Sequence, residues 1–254
     1  MLTDTHVHLY VEAFDDDRDE VLSRAAEAGV GRFFLPAIDS EYTDRMKALR
    51  DAHPEQVFLM CGLHPTHVKA DFEAELAHVA RELETGAYVA VGEIGIDLYW
   101  DTSLLAEQTE AFRRQIRMAK AFGLPIAIHC RDAFDEIFEV LEGEAGPELR
   151  GVFHCFTGTR QQALRAISLG MYLGIGGVLT FKNGKIDQYL GGISLEHILL
   201  ETDAPYLAPA PYRGKRNESS YLRFVLGRMA EVYGTSEAEI ARITTENSER
   251  LFGC

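Results

Sequence analysis

The chain has 254 residues, of which 46% are hydrophobic, and a formal net charge of −15 at pH 7. This size and composition allow a large buried core, and the absence of a Pro/Gly/Ser-rich linker favours a single domain over residues 1–254. The acidic charge disfavours a protein that coats nucleic acid with a broad basic face, but it still allows an anion to bind at one concentrated positive site.

The apolar runs and the cysteines narrow the class of protein further. We expect no membrane span, because no apolar run approaches the roughly 18 residues required, and no export signal, because charged and histidine residues begin at Asp4. The four cysteines are widely spaced and fit neither a zinc finger nor a dense disulfide framework, so reduced thiols are expected. The sequence therefore predicts a cytoplasmic protein and implies no protein partner.

Short apolar segments alternate with segments of helical periodicity along the whole chain. The predicted strands begin, in chain order, near Leu2, in GRFFLPAI (from Gly31), VFLMCGLHP (Val57), YVAVGEIGID (Tyr88), PIAIHC (Pro125), GVFHCF (Gly151), MYLGIGG (Met171) and HILLETDAP (His197). The predicted helices cover residues 17–28, 43–52, 72–83, 104–122, 132–141, 161–169, 221–233 and 236–252.

Eight strands with intervening helices, over about 250 residues, are typical of an α/β fold of the (β/α)₈ TIM-barrel type. A doubly wound open sheet is the competing prediction. It usually carries a Gly-rich dinucleotide-binding turn after the first strand, and that turn is absent here. We therefore expect the barrel.

The first strand leads into the motif TDTHVHL, which contains two histidines one residue apart. If the chain stays extended there, His6 and His8 point to the same face, about 7 Å apart. An isolated HxH is a weak signal, because most such histidines lie at the surface or are hydrogen-bonded within a protein. A metal site therefore requires partners elsewhere in the chain.

Candidate partners stand at the C-terminal ends of the predicted strands, where active-site residues of parallel barrels are found. Together with the two histidines of the first strand they are His6, His8, His64, Glu93, Asp97, His129, His154 and Asp203. Each alone has a structural alternative: Glu93 could pair with an arginine, and Asp203 could cap the turn at Ala204-Pro205. Buried without partners, such groups would cost several kcal/mol each, so their convergence on one rim favours a metal centre.

These motifs together resemble the TatD family of metal-dependent hydrolases, also called TatD-related deoxyribonucleases, over essentially the whole chain. The motifs are DTHVHL at Asp4, GLHP at Gly62, VGEIGID at Val91, FRRQIRMA after Gln108, PIAIHCRDA at Pro125, HCFTG at His154, ETDAPYLAP at Glu201, RGKRNE at Arg213 and the closing NSERLF. One departure is Ser219, where the family often has proline.

The resemblance implies a TIM barrel with one or two divalent metal ions and hydrolase activity, and several members are DNA exonucleases. Carried over position by position, it assigns His6, His8 and Asp203 to one metal, His129 and His154 to the second, and Glu93 as the bridging carboxylate. We expect two divalent ions. Mixed nitrogen and oxygen ligands suit Zn²⁺ or Mn²⁺ better than Mg²⁺, although the sequence leaves all three open.

The same assignment predicts the reaction. Two such ions would activate a water for attack on a phosphodiester. Asp203 would then be the general base, and His64 would contact the scissile phosphate or its leaving oxygen. Arg131 and Arg213 are candidates to hold flanking phosphates.

The predicted nucleic-acid substrate is single-stranded DNA, attacked from an end. A flexible strand end enters a site below loops more readily than a duplex, whose persistence length is about 50 nm. Lys215 and Arg216 could also contact phosphates, but a solvated loop explains them equally well.

Two alternatives stay open at this point. The same centre could attack an ester or amide carbonyl, as in the wider amidohydrolase superfamily, which the barrel and the HxH motif also resemble, because a fold alone does not select a reaction. The chain could also be a non-catalytic metal-binding protein, which the complete ligand set with a candidate base argues against.

Overall fold

A computed structural model describes all residues from Met1 to Cys254. Eight parallel strands form one sheet in the order β1 to β8, so each strand pairs with its neighbour in the chain. The strands are β1 (Leu2–Asp4), β2 (Val30–Leu35), β3 (Val57–Cys61), β4 (Ala90–Asp97), β5 (Ile126–Arg131), β6 (Gly151–Phe153), β7 (Met171–Ile175) and β8 (Ile198–Leu200).

The first and last strands meet through their C-terminal extensions. The backbone N–H of Thr5 donates to the carbonyl of Leu200 at 3.0 Å, and the N–H of Asp203 donates to the carbonyl of His6 at 2.9 Å. These bonds bring the two ends of the sheet together, and the (β/α)₈ prediction is confirmed.

Helices surround the sheet, and every predicted helix is present, with small shifts at the ends. They are α1 (Arg18–Glu27), α2 (Thr43–Ala52), α3 (Glu73–Leu83), α4 (Leu105–Phe122), α5 (Phe134–Gly143), α6 (Arg160–Ser168), α7 (Asp187–Leu190), α8 (Leu222–Tyr233) and α9 (Glu237–Phe252). The short α7 was not predicted, because four residues are too few to show the periodicity of a helix. No helix is both long and apolar enough to cross a bilayer.

Three predicted strands are shorter than expected. Strands β1, β6 and β8 have three residues each and end at Asp4, Phe153 and Leu200. The sequence suggested that the strands run on through the histidines and Asp203, because the apolar pattern continues there. Those side chains instead lie just beyond the strand ends, where the chain turns over the rim of the barrel.

Strand β4 is the longest and is buried along its whole length. Its register against β5 shifts between Val91 and Ile94, a bulge that re-aims the intervening side chains. Gly95 has a φ of +149°, and a Cβ there would collide with the carbonyl of His129. The glycine thus allows β4 and β5 to approach closely where Glu93 and His129 meet.

Candidate metal centre

Glu93 lies at the middle of the candidate site, and its two carboxylate oxygens face different histidines. Oε2 is 3.1 Å from Nε2 of His6 and 3.6 Å from Nε2 of His8. Oε1 is 2.8 Å from Nδ1 of His129 and 3.0 Å from Nε2 of His154. Each oxygen thus faces a different pair of histidines, and the bridging role that the family resemblance implies for Glu93 stays a prediction.

The group around Oε2 is completed by Asp203. Its Oδ1 is 3.5 Å from Nε2 of His8 and 3.8 Å from Nε2 of His6. Asp203 has a φ of +58°, in the left-handed region that aspartate tolerates better than most residues. Backbone strain of this kind is often found where a side chain must be aimed into a site.

The sequence-based expectation for the opening motif was partly wrong in its geometry. His6 and His8 do converge, but from a chain that has left the strand, and their ring centroids are 5.2 Å apart. Both side chains are buried, with 1% and 4% of their surface exposed. The rings therefore lie below the covering loops.

Two histidines have one ring nitrogen hydrogen-bonded to a neighbour, which leaves the other nitrogen free to bind a metal. The hydroxyl of Tyr10 donates to the carbonyl of Pro36 at 2.6 Å, so its oxygen accepts from Nδ1 of His8 at 2.7 Å. In the same way, Nε2–H of His129 donates to Oδ2 of Asp97 at 2.8 Å.

His154 differs from these two histidines, because its Nδ1 lies 3.4 Å from Oε1 of Glu201 and makes no hydrogen bond. Glu201 fits there because Gly174 on β7 has no side chain, and a Cβ would collide with the glutamate oxygen. Sequence reasoning did not assign Glu201 or Tyr10, and it gave Asp97 no role. A signal existed for Glu201, which precedes Asp203 by two residues at the end of a buried strand.

The site holds its central carboxylate ionised. Burial works to raise the pKa of Glu93, but the imidazoles of His154, His64 and His6 outweigh it and hold that pKa well below its usual range. Burial also works to raise the pKa of Asp97, and the hydrogen bond from His129 lowers it below its ordinary value. Both groups are therefore anions at neutral pH.

His64 lies beside the second group and differs from the other histidines. Its Nε2 is 3.3 Å from Oε1 of Glu93, and 13% of its side chain is exposed. The backbone N–H of Thr66 donates to its Nδ1 at 3.2 Å, so in the neutral ring the proton is on Nε2. Burial lowers the pKa of His64 to about 4, which makes the neutral ring the relevant form. A protonated Nε2 is a hydrogen-bond donor and cannot ligate a metal through that atom.

The arginines that were considered as phosphate-binding residues differ in the side chains they contact. The guanidinium of Arg131 lies 3.7 Å over the ring of Tyr99, and that of Arg213 lies 4.0 Å over Phe181. Neither forms a salt bridge. Arg216 instead pairs with both oxygens of Asp17 at 2.7 Å each, so it ties α1 to its loop and is not free for phosphate.

The departure at Ser219 has a structural role. Its hydroxyl donates to Oδ2 of Asp4 at 2.7 Å, and the hydroxyl of Thr202 donates to the same oxygen at 2.6 Å. Asp4 and Ser219 are both buried. A proline could not make this contact, so the serine links the loop after RGKRNE to the end of β1.

The donor set fits a divalent metal centre. Candidate ligand atoms lie within 4.8 Å of one another in three overlapping groups: His6, His8 and Asp203; His6, Glu93 and His154; and His64, Glu93 and His129. His64 is not expected to ligate, because its Nε2 carries the proton. Imidazole nitrogens mixed with carboxylate oxygens match Zn²⁺, Mn²⁺ or a related ion. A parallel barrel with such a cluster on the C-terminal side of its strands is the architecture of metal-dependent enzymes of the TIM-barrel class.

The chain belongs to the TatD family, since the family model described as "TatD related DNase" matches residues 3–253. A Bacillus subtilis protein named "Uncharacterized metal-dependent hydrolase YabD" is 39% identical over 99% of both chains. A Pantoea ananatis protein named "3'-5' ssDNA/RNA exonuclease TatD" is 34% identical over 98% of both. The crystal structure of the TatD homologue YJJV from Escherichia coli has a TM-score of 0.94 and 32% identity, covering 100% of this chain and 98% of its own.

Proposed function

We propose that this chain is a phosphodiesterase that hydrolyses single-stranded DNA from an end and uses two divalent metal ions. The observation that carries the proposal is the division of the Glu93 oxygens between two groups of ligands. His6, His8 and Asp203 would hold one ion, His129 and His154 the other, and Glu93 would bridge them. The name of the Pantoea ananatis relative supports a nucleic-acid substrate.

The bound ions would supply an activated water and positive charge for a phosphodiester. Asp97 and Glu201 add two buried carboxylates to Glu93 and Asp203, so together they would balance the charge of two divalent ions. Glu93 and Asp203 alone would leave a centre of two divalent ions with a net positive charge. Attraction for a phosphate would then also depend on Arg131 and Arg213 at the rim, both of which lack acidic partners.

Asp203 is the best placed general base. Its side chain is 13% exposed, against 3% for Glu93, so it lies where solvent and substrate arrive. It would take the proton of the attacking water as the oxygen bonds to phosphorus and the bond to the leaving nucleotide breaks. The Nε2–H of His64 would donate to the phosphate or to the leaving oxygen.

A time course with end-labelled oligonucleotides tests the proposal. We expect metal-dependent loss of terminal nucleotides from single strands, slower cleavage of intact duplex, and a shallow salt dependence because few phosphates are held. Loss of activity on adding chelator, and its recovery with a divalent metal, would distinguish an enzyme from a metal-binding protein. Products that appear first in the middle of the strand would contradict attack from an end, and activity on carbonyl esters and amides alone would favour the amidohydrolase alternative.

A further inference from the structure

Two large aromatic side chains are exposed beside the metal centre. Tyr99 and Trp100, in the loop between β4 and α4, are 55% and 70% exposed. Their rings form an edge-to-face pair with centroids 5.0 Å apart. Because exposing such area to water is unfavourable and the pair contributes little to the core, a ligand is a better explanation than folding.

Arg131 adds a cation to this pair. Its guanidinium lies 3.7 Å from the Tyr99 ring centroid and 5.5 Å from that of Trp100, and no carboxylate pairs with it. A guanidinium stacked in this way keeps N–H groups free at its edge to bind a phosphate. The cluster therefore offers two perpendicular aromatic rings and an anion-binding group side by side.

The aromatic pair is fixed relative to the metal centre through Asp97. Oδ1 of Asp97 accepts from the backbone N–H of Tyr99 at 3.0 Å and of Trp100 at 3.1 Å. Oδ2 of the same side chain accepts from His129 at 2.8 Å. One carboxylate thus orients a predicted metal ligand and holds the aromatic loop.

A cavity opens directly next to the pair. It has a volume of about 450 Å³, within the usual range for small-ligand sites. Its lining includes Tyr99, Arg131, Phe134 and the hydroxyl-bearing Thr157 and Thr159. The mixture of aromatic, cationic and hydrogen-bonding groups suits a nucleotide better than a purely apolar ligand.

We propose that Tyr99, Trp100 and Arg131 form a subsite that stacks an unpaired nucleobase of the strand whose phosphate lies at the metal centre. This inference rests on the proposed function. Stacking on an aromatic surface tolerates any base, since every base has a π-face, but it requires a base released from the duplex. The subsite would therefore give single-strand preference without sequence preference.

Trp100 is the only tryptophan in the chain, so its fluorescence reports on this subsite alone. The test uses the metal-loaded protein and a short oligothymidylate with phosphorothioate linkages, which resist hydrolysis. A strand of the same length and charge built from abasic residues is the comparison ligand. We expect the thymidine strand to quench Trp100 and the abasic strand to bind more weakly, by about tenfold, with little quenching.

Tyr99→Ala is the informative variant, because alanine keeps the backbone N–H that Asp97 holds. We expect it to weaken binding of the thymidine strand by about tenfold and to change binding of the abasic strand far less. Phe122→Ala is the matched control, since Phe122 is 43% exposed at the end of α4, on the opposite face of the barrel. It should bind both strands as the parent protein does.

Hydrolysis of end-labelled single strands, measured on the same preparations, keeps the two proposals distinguishable. If hydrolysis occurs but both strands bind equally in the parent protein, or if Tyr99→Ala behaves like the control, the stacking subsite is wrong and the proposed function stands. If neither strand binds and no phosphodiester is hydrolysed, both proposals fall.

Discussion

Asp97 accepts a hydrogen bond from Nε2 of His129 at 2.8 Å, and this contact leaves Nδ1 of the ring facing Glu93. A buried carboxylate in this position fixes the tautomer and raises the basicity of a ligand imidazole. We therefore treat Asp97 as a positioning residue of the second metal site.

Asp97→Asn should lower the affinity for the second metal by about 10–100-fold, because an amide is neutral and a weaker partner for the imidazole. Metal titration by calorimetry measures this directly. Asp101→Asn is the control, since Asp101 lies in the same loop and caps only Ser103. Unchanged affinity in the Asp97 variant would remove Asp97 from the site.

His6→Ala should remove one metal ion and nearly all hydrolysis, because the ring nitrogen contributes to the group around Oε2 of Glu93. His8→Ala should act in the same way. Metal analysis and circular dichroism give the stoichiometry and the fold. His67→Ala, which changes a histidine 40% exposed at the rim, should keep the full metal content. Full metal content in both His6 and His8 variants would contradict the assignment of the opening motif.

Glu93→Gln should reduce binding of both metals at once, since glutamine has no second anionic oxygen to share between the two groups. The measurement is the metal content per chain after dialysis, with Glu142→Gln on the exposed surface as the control. Selective loss of a single ion would mean that Glu93 does not bridge.

His64→Ala should leave the metal content unchanged and lower kcat by about 10²–10³-fold, as removal of a hydrogen-bond donor to a transition state does. His64→Gln should recover part of the rate, because its amide N–H reaches a similar position. If the alanine variant instead loses a metal, His64 is a ligand and the tautomer inferred from Thr66 is wrong.

Asp203→Asn should keep much of the substrate binding and lose turnover by about 10²–10⁴-fold, the usual contribution of a general base. Binding of a phosphorothioate strand and single-turnover hydrolysis separate the two effects. A variant that turns over at the parent rate would assign the base elsewhere.

The sequence by itself determined the fold and the residue types of the site. The alternation of apolar strands with amphipathic helices specifies a parallel barrel, and a parallel barrel places every strand's C-terminal end on the same rim. His6, Glu93, His129, His154 and Asp203 could be brought together on that basis, because each lies within a strand or just after one.

Only the tertiary structure decided how these groups are oriented. Beyond the last paired residue of a strand, periodicity no longer fixes the direction of a side chain. The local backbone conformation, such as the left-handed φ at Asp203, sets that direction instead. The partner of Arg216 is Asp17, 199 residues away in the chain, and no local pattern indicates that pairing. Contacts that exist only after the barrel has closed also place the proton on Nε2 of His64. Such contacts likewise let Asp97 accept hydrogen bonds from both His129 and the backbone of Tyr99.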